Sequence, residues 1–375
     1  YANMTVEMDN TDKLKALHDD ALKMGLTFEP IDINRCVHRF EPVSDRVIRY
    51  GLGAIKGTGL LAIEAIVQER NSQGPFTSLF DFCLRVDRTR INKRTMETLI
   101  RAGAFDALDR NRAALLAGLD LAIAYANQVQ SDLNQGGLFD DMGSESAVNQ
   151  VPELPPMTPW GIREQLAHEK TAIGFYFSGH LFEECKAEVR QFVKLELGEA
   201  DKSKDQVLVA GIVSDFRVIQ GQRGRLALFK LDDQSAVLDV AADAELMDRS
   251  RQALQEDALV VVRAKVQPDR FSGGIRLNAQ ELWPLSEARR RFAKRIEVTL
   301  GERRPKLDEP VWARVAAGEG GLPLRLNLSV GGVPVSLDLD RQVNPTDETL
   351  SEWQLLCDTS HEGFLAQSSV KLIYE

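Results

Sequence analysis

Gly57 and Gly59, two positions apart between helix-like stretches, are the residues with the clearest chemical use. With no Cβ in the gap, a turn between two helices can aim consecutive backbone N–H groups at a phosphate. The positive end of the following helix adds to that attraction. Lys56 and Thr58 complete the turn, and a second glycine turn, Gly103-Ala104-Phe105, comes later with Arg88, Arg90, Lys93, Arg94 and Arg101 around it. Such hairpins would grip a nucleic-acid backbone without reading its sequence; the alternative is that the glycines only stop helices in ordinary helical hairpins. From Arg46 to Arg112 there are 12 Lys or Arg against 7 Asp or Glu, in a chain of net charge −10. A basic face on an acidic chain favours a defined nucleic-acid site over general stickiness.

Other constellations carry less. Asp338 and Asp340 alternate on a strand and so share a face, as carboxylates for two-metal catalysis must. They have no third carboxylate at a recognisable spacing and no phosphate-binding loop nearby, and read as a strand end at a turn; Asp140-Asp141 and Asp232-Asp233 read as linker and turn residues. Cys36, Cys83, Cys185 and Cys357 lie too far apart for a disulfide framework or zinc site, which points to a reducing cytoplasm. His168 and His180 lack any metal-ligand pattern. No catalytic triad or nucleotide loop emerges, so no catalytic residue, metal or cofactor is assigned to this chain. The longest mainly apolar runs, such as Ala258 to Ala264, fall far short of the ~20 residues that span a bilayer, so no membrane partner is expected. Tyr1 in place of an initiator Met reads as a piece of something longer.

The elements that must position these groups follow from periodicity and punctuation. At 375 residues the chain should form two to four domains. Asp9-Asn10-Thr11 can cap a helix from about Asp12 to Met24, and Pro30 keeps Glu29 to Asn34 extended. The first glycine turn precedes an apolar helix with Leu60, Leu61, Ile63, Ile66 and Val67; helices at Asn92 to Ala102 and about Arg112 to Val129 flank the second. Ser131 to Pro159 has the composition of a linker, interrupted by one apolar island, Gln135-Gly136-Gly137-Leu138-Phe139. A helix near Trp160 to Thr171 follows.

Strands at Gln206 to Val218, Arg225 to Leu231, Ala236 to Ala241, Ala258 to Gln267 and Ile275 to Trp283, with a helix from about Ala244 to Leu254 after the third, have the order of an OB-fold. Its loops carry Arg223 and Arg225 on one side and Arg270, Phe271 and Arg276 on the other, cations for phosphate with an aromatic for base stacking. With 10 basic and 12 acidic residues from Asp205 to Glu281, a protein-binding or purely structural role stays open. A basic helix (Glu287 to Lys294), strands at Leu324 to Val330, Val333 to Leu339 and Val370 to Tyr374, and a helix start at Asn344 to Asp347 make a small α+β domain. The fold class is therefore multi-domain α+β: a tandem helix-hairpin-helix region, a five-stranded OB barrel and a small C-terminal α+β domain.

Taken in order, Glu7-Met8-Asp9-Asn10, Tyr50 to Gly57, Leu79-Phe80-Asp81-Phe82-Cys83, Leu99 to Asp106 and Gly174 to His180 resemble the alpha subunit of bacterial DNA polymerase III, and the likeness covers essentially the whole chain. Pro30-Ile31 stands where that family usually has a Pro pair, and Leu181 where it often has Pro. The resemblance implies these assignments: residues 1–49, the end of the polymerase fingers; 50–130, tandem helix-hairpin-helix motifs contacting duplex DNA; 131–159, a linker carrying a sliding-clamp peptide at Gln135 to Phe139; 160–204, a helical connector; 205–285, an OB domain, its partner either single-stranded template or protein; 286–375, a domain docking on the tau subunit of the clamp loader. The Mg-dependent palm is implied to precede this part, so the chain alone is expected to be inactive, and residues 1–49 are expected to pack poorly without it. Two other readings are a stand-alone DNA-binding adaptor and a helix-hairpin-helix DNA glycosylase. The glycosylase needs an Asp or Lys just past the hairpin, where Leu60 and Leu61 stand; sequence upstream of Tyr1 separates the adaptor.

Overall fold

Side-chain caps start several helices of the N-terminal half. The computed structural model describes residues 1–136, 151–203, 206–221, 224–269, 273–300, 321–330, 333–357 and 370–374, in two units, Tyr1–Leu181 and Phe182–Glu375. The first unit begins with α1 (Ala2–Val6) and α2 (Thr11–Lys23), and Asn10 Oδ1 accepts the Lys13 N–H at 3.1 Å. A small sheet of β1 (Thr27–Phe28), β2 (Glu41–Ser44) and β3 (Val47–Arg49) runs in the order β1-β3-β2. Then come α3 (Leu60–Gln73), α4 (Leu79–Arg85), α5 (Lys93–Arg101), α6 (Arg112–Gly136) and α7 (Ile162–Ala172). Ser78 and Asn92 cap α4 and α5, accepting the N–H groups of Asp81 at 3.1 Å and Thr95 at 2.9 Å.

Two expectations fail in this unit. Residues 1–49 are not poorly packed: Met4, Leu14, Ile33, Phe40 and Ile48 lie in one core with Leu52, Ile63, Phe82, Leu99 and Phe105. Polar ties reinforce that packing. Arg70 of α3 donates to the carbonyls of Ile33 (2.6 Å) and Arg35 (3.3 Å), and the Asn34 amide exchanges hydrogen bonds with the backbone of Phe76 at 2.8 and 2.9 Å. No break between separate cores falls at 49/50. Nor does the linker begin at Ser131, since α6 runs to Gly136. The physical reason is that Asn127 to Gln135 has no Gly or Pro to stop a helix already propagating, whatever its polarity.

The second unit opens with α8 (Glu183–Phe192), so the sequence-defined connector 160–204 is divided between units. Strands β4 (Gln206–Gly221), β5 (Gly224–Asp232), β6 (Val237–Asp243), β7 (Leu259–Pro268) and β8 (Ile275–Pro284) close into a barrel ordered β4-β5-β6-β8-β7. Helix α9 (Ala244–Arg249) sits between the third and fourth strands, as the sequence leads one to expect. The β6–β8 pair is parallel, the others antiparallel. Gly211 is needed where β4 meets β5: a Cβ there would lie 2.8 Å from the Asp232 carbonyl oxygen. The interior holds Val209, Val213, Phe229, Leu231, Val262 and Leu277.

Beyond the barrel lie α10 (Leu285–Phe292), β9 (Arg295–Thr299), β10 (Leu322–Val330), β11 (Val333–Val343), α11 (Asp347–Cys357) and β12 (Val370–Ile373). The sheet order is β11-β10-β9-β12, with β9 parallel to β10. The sequence reading missed β9, a five-residue strand whose alternation is too short to stand out. Trp353 of α11 is fully buried among Ile296, Val298, Leu324 and Val343. The basic helix proves less basic than its composition, because Arg289 is buried and bonded to Glu188 at 2.7 and 2.8 Å and to Asp347 at 2.6 Å.

Candidate nucleic-acid interface

The first glycine turn is built to leave its outer side open. A short 3-10 turn, Leu52–Ala54, leads in, and Gly57 adopts φ +77°, with nothing within 4 Å of where a Cβ would be. Thr58 does not face outward as expected: its hydroxyl is buried against the carbonyls of Ile55 (2.6 Å) and Leu52 (2.7 Å), and its N–H donates to Ile55. It therefore fixes the turn instead of touching a ligand. The Lys56 N–H donates to Ala172 O at 2.8 Å, which anchors the turn to α7. Gly59 begins the 14-residue α3, and no acceptor among the described residues takes the N–H groups of Gly59, Leu60 or Leu61. These are the unsatisfied donors of a helix N-terminus, and they suit an anion.

Helix α5 belongs in sequence to the second hairpin, yet its cations face the first. Thr95 Oγ1 donates to Gly57 O at 3.3 Å. A depression of about 600 Å³ there is lined by Lys56, Gly57, Lys93, Arg94, Thr98 and Arg101. Lys93 is held by Asp120 at 2.6 Å, a hydrogen bond that raises its pKa, and Glu97 lies 3.9 Å from Arg101. Among the described residues no ion pair forms to Lys56 or Arg94, so these two carry the least compensated charge at the turn.

The second turn is sealed, contrary to the sequence reading. Gly103 has the same kind of backbone, φ +83°, but it is buried, and a Cβ on it would lie 2.3 Å from Arg112 Nη2. Arg112 is itself buried between Asp106 (2.6 Å) and Glu169 (2.8 Å). The fully buried Glu169 also accepts the N–H groups of Phe177 (3.2 Å) and Ser178 (2.9 Å), which explains the Gly174 to His180 motif as a clasp on this turn. Arg88 is spent on α6, donating to Asn127, to Gln130 at 2.6 Å and to Ile123 O at 3.4 Å; Arg90 pairs with Asp87 at 3.4 Å. Of the expected contacts, Lys56, Gly57, Gly59, Lys93, Arg94 and Arg101 come together, whereas Thr58, Arg88, Arg90 and Gly103 do not join them.

On the barrel, Arg225 pairs with Asp248 at 3.1 Å, and Arg276 on β8 has a buried Nε with no partner among the described residues. Arg223, Arg270 and Phe271 lie outside the described residues, as do Gly137, Leu138 and Phe139; Gln135 and Gly136 end α6. The sequence reading missed Phe216 and Val218, which line a depression of about 920 Å³ with Arg225, Arg249 and Arg251. A bulge between Ser214 and Arg217, with Asp215 at φ +54°, re-aims this stretch of β4. An Asp inside an alternating run was the available signal. Among the described residues, no group of three or more His, Cys, Asp or Glu could hold a metal ion, and Asp338 is paired with Arg325 at 2.6 Å. No described helix is long and apolar enough to cross a membrane.

Comparison with known proteins fits this geometry. The helix-hairpin-helix motif family matches residues 25–115, and the OB-fold nucleic acid binding domain family matches residues 207–285. DNA polymerase III subunit alpha of Neisseria meningitidis serogroup A is 43% identical over 301 residues, 80% of this chain and 26% of the relative. The subunit of the same name from Haemophilus influenzae is 36% identical over 386 residues, 100% of this chain and 32% of the relative. The chain thus spans about a third or less of the length of these relatives. Among solved structures, a small single-stranded DNA-binding protein from Streptomyces coelicolor overlays 22% of this chain and 93% of its own at 15% identity, with a TM-score of 0.20, too slight a likeness to bear on ligand.

Proposed function

The chain belongs to the DNA polymerase III alpha-subunit family, matching the C-terminal part of those relatives, and from that premise we propose that it holds duplex DNA, the sliding clamp and the clamp loader during bacterial chromosomal replication. The observation that carries the DNA reading is the open first turn: Lys56 and Arg94, with no ion pair among the described residues, line its depression, and the N–H groups that start α3 meet no acceptor among those residues. Binding should be indifferent to sequence, because backbone N–H groups and Lys or Arg at such a turn suit phosphates, whose contacts carry no sequence information. Titrating the chain with duplexes of unrelated sequence tests this: equal affinities with a steep salt dependence support it, and salt-independent binding opposes it. The depression beside Phe216 supports a weaker single-strand contact, an aromatic face with cations around it. Metal-dependent chemistry with Mg belongs in this reading to other parts of the polymerase, and the chain acts in the cytoplasm.

The clamp-binding peptide in this reading is Gln135 to Phe139, starting on the last turn of α6. Leu138 and Phe139 are the anchors, each contributing ~1.5–3 kcal/mol when buried on a partner. Replacing both with Ala should weaken clamp binding about a hundredfold, with the melting temperature unchanged; unchanged affinity opposes the assignment. Residues 286–375 are the tau-docking part, supported by their own core around Trp353. Removing them should abolish tau capture and spare duplex binding.

A further inference from the structure

We propose, resting on the hairpin reading above, that Leu60 and Leu61 form a second, uncharged grip on duplex DNA, lying against the sugar walls of the minor groove while the turn holds the phosphates. Leu60 is 48% and Leu61 67% exposed. They occupy the first two positions of α3, whose inward face is already supplied by Ala62, Ile63 and Ile66. The leucines therefore add little to this unit's own core. Side chains at a helix start lean back toward the N-terminus, which places this pair beside the free N–H groups of Gly59, Leu60 and Leu61.

Charge selects the occupant. An exposed apolar pair that follows a turn whose Lys56 and Gly57 line a depression with Lys93, Arg94 and Arg101 suits a surface that alternates negative groups with apolar ones. Duplex DNA has that character: phosphates border deoxyribose walls, and leucine is among the residues that proteins place into the minor groove. A neutral apolar partner would leave the cations unanswered, and a second copy of this chain would set like charges against each other. An apolar contact displaces no counterion, so its loss should lower affinity without changing the salt slope.

Anisotropy of a labelled duplex, titrated with the full 375-residue chain across a salt series, tests this with three variants. Leu60→Ser with Leu61→Ser should weaken binding about tenfold, equivalent to ~1.4 kcal/mol, at an unchanged slope. Leu60→Met with Leu61→Met should keep native affinity, and Lys56→Ala should lower the slope by about one unit. If the Ser pair binds like the native chain while Lys56→Ala still lowers the slope, the leucine grip is wrong and the hairpin reading stands; if neither has any effect, both fail. Equal losses for the Ser and Met pairs, or a reduced slope in the Ser pair, overturn the apolar contact. A smaller oligomer of the Ser pair on gel filtration overturns it too, by assigning the leucines to a second copy.

Discussion

The two glycine turns of the N-terminal unit share a backbone and differ in what stands over it. Gly57 at φ +77° faces open space, and Gly103 at φ +83° faces a buried guanidinium. A positive φ shows only that glycine is needed; whether the turn can receive a ligand depends on the side chains that close or leave the space outside it. At the second turn Arg112 fills that space and is itself held by Glu169, 57 positions further along the chain. At the first, Thr58 turns inward, and the cations of α5 border the opening without covering it.

Several substitutions would sharpen or break this contrast. The largest effect should come from Arg112→Met, which leaves Glu169 buried without its cation and should destabilise the unit by ~3–5 kcal/mol in a denaturant titration. A loss under ~1 kcal/mol would mean that the seal is ornamental. Gly103→Ala should come next, costing ~2–4 kcal/mol, because a left-handed backbone cost is joined by a clash that Arg112 cannot relieve without leaving its carboxylates. Gly57→Ala carries only the backbone cost, ~1–2 kcal/mol, as its Cβ enters open space. Duplex affinity should reverse the order, with Gly57→Ala binding more weakly than Gly103→Ala at a temperature where both are folded. Smallest is Thr58→Val, which removes a buried hydroxyl shared between the Leu52 and Ile55 carbonyls, of which Ile55 keeps the Thr58 N–H, ~1 kcal/mol, with duplex binding reduced only as far as the turn loosens.

Much of the architecture was legible because it is written locally. Strand alternation with turn residues marked the five barrel strands, and Asn10 and Asn92 marked helix starts through their own side chains. What could not be read depended on partners distant in sequence. Nothing near Gly103 announces that Arg112 and Glu169 will close over it, and nothing near Arg88 that its guanidinium will be taken by Asn127 and Gln130 of α6. The packing of residues 1–49 likewise rests on Arg70 reaching back to Ile33 and Arg35. At the site itself, residue type picked out Lys56, Gly57, Gly59 and Arg94; that α5 serves the first turn and not the second is a tertiary fact.

Of the two turns, the open one is proposed to meet the phosphates. The slope of duplex affinity against salt concentration tests it with equal charge removed from each region: Lys56→Ala with Arg94→Ala at the open turn, Arg88→Gln with Arg90→Gln near the sealed one. The slope should fall by about two units for the first pair and stay unchanged for the second. Equal reductions in both, or a reduction confined to the second pair, would contradict it.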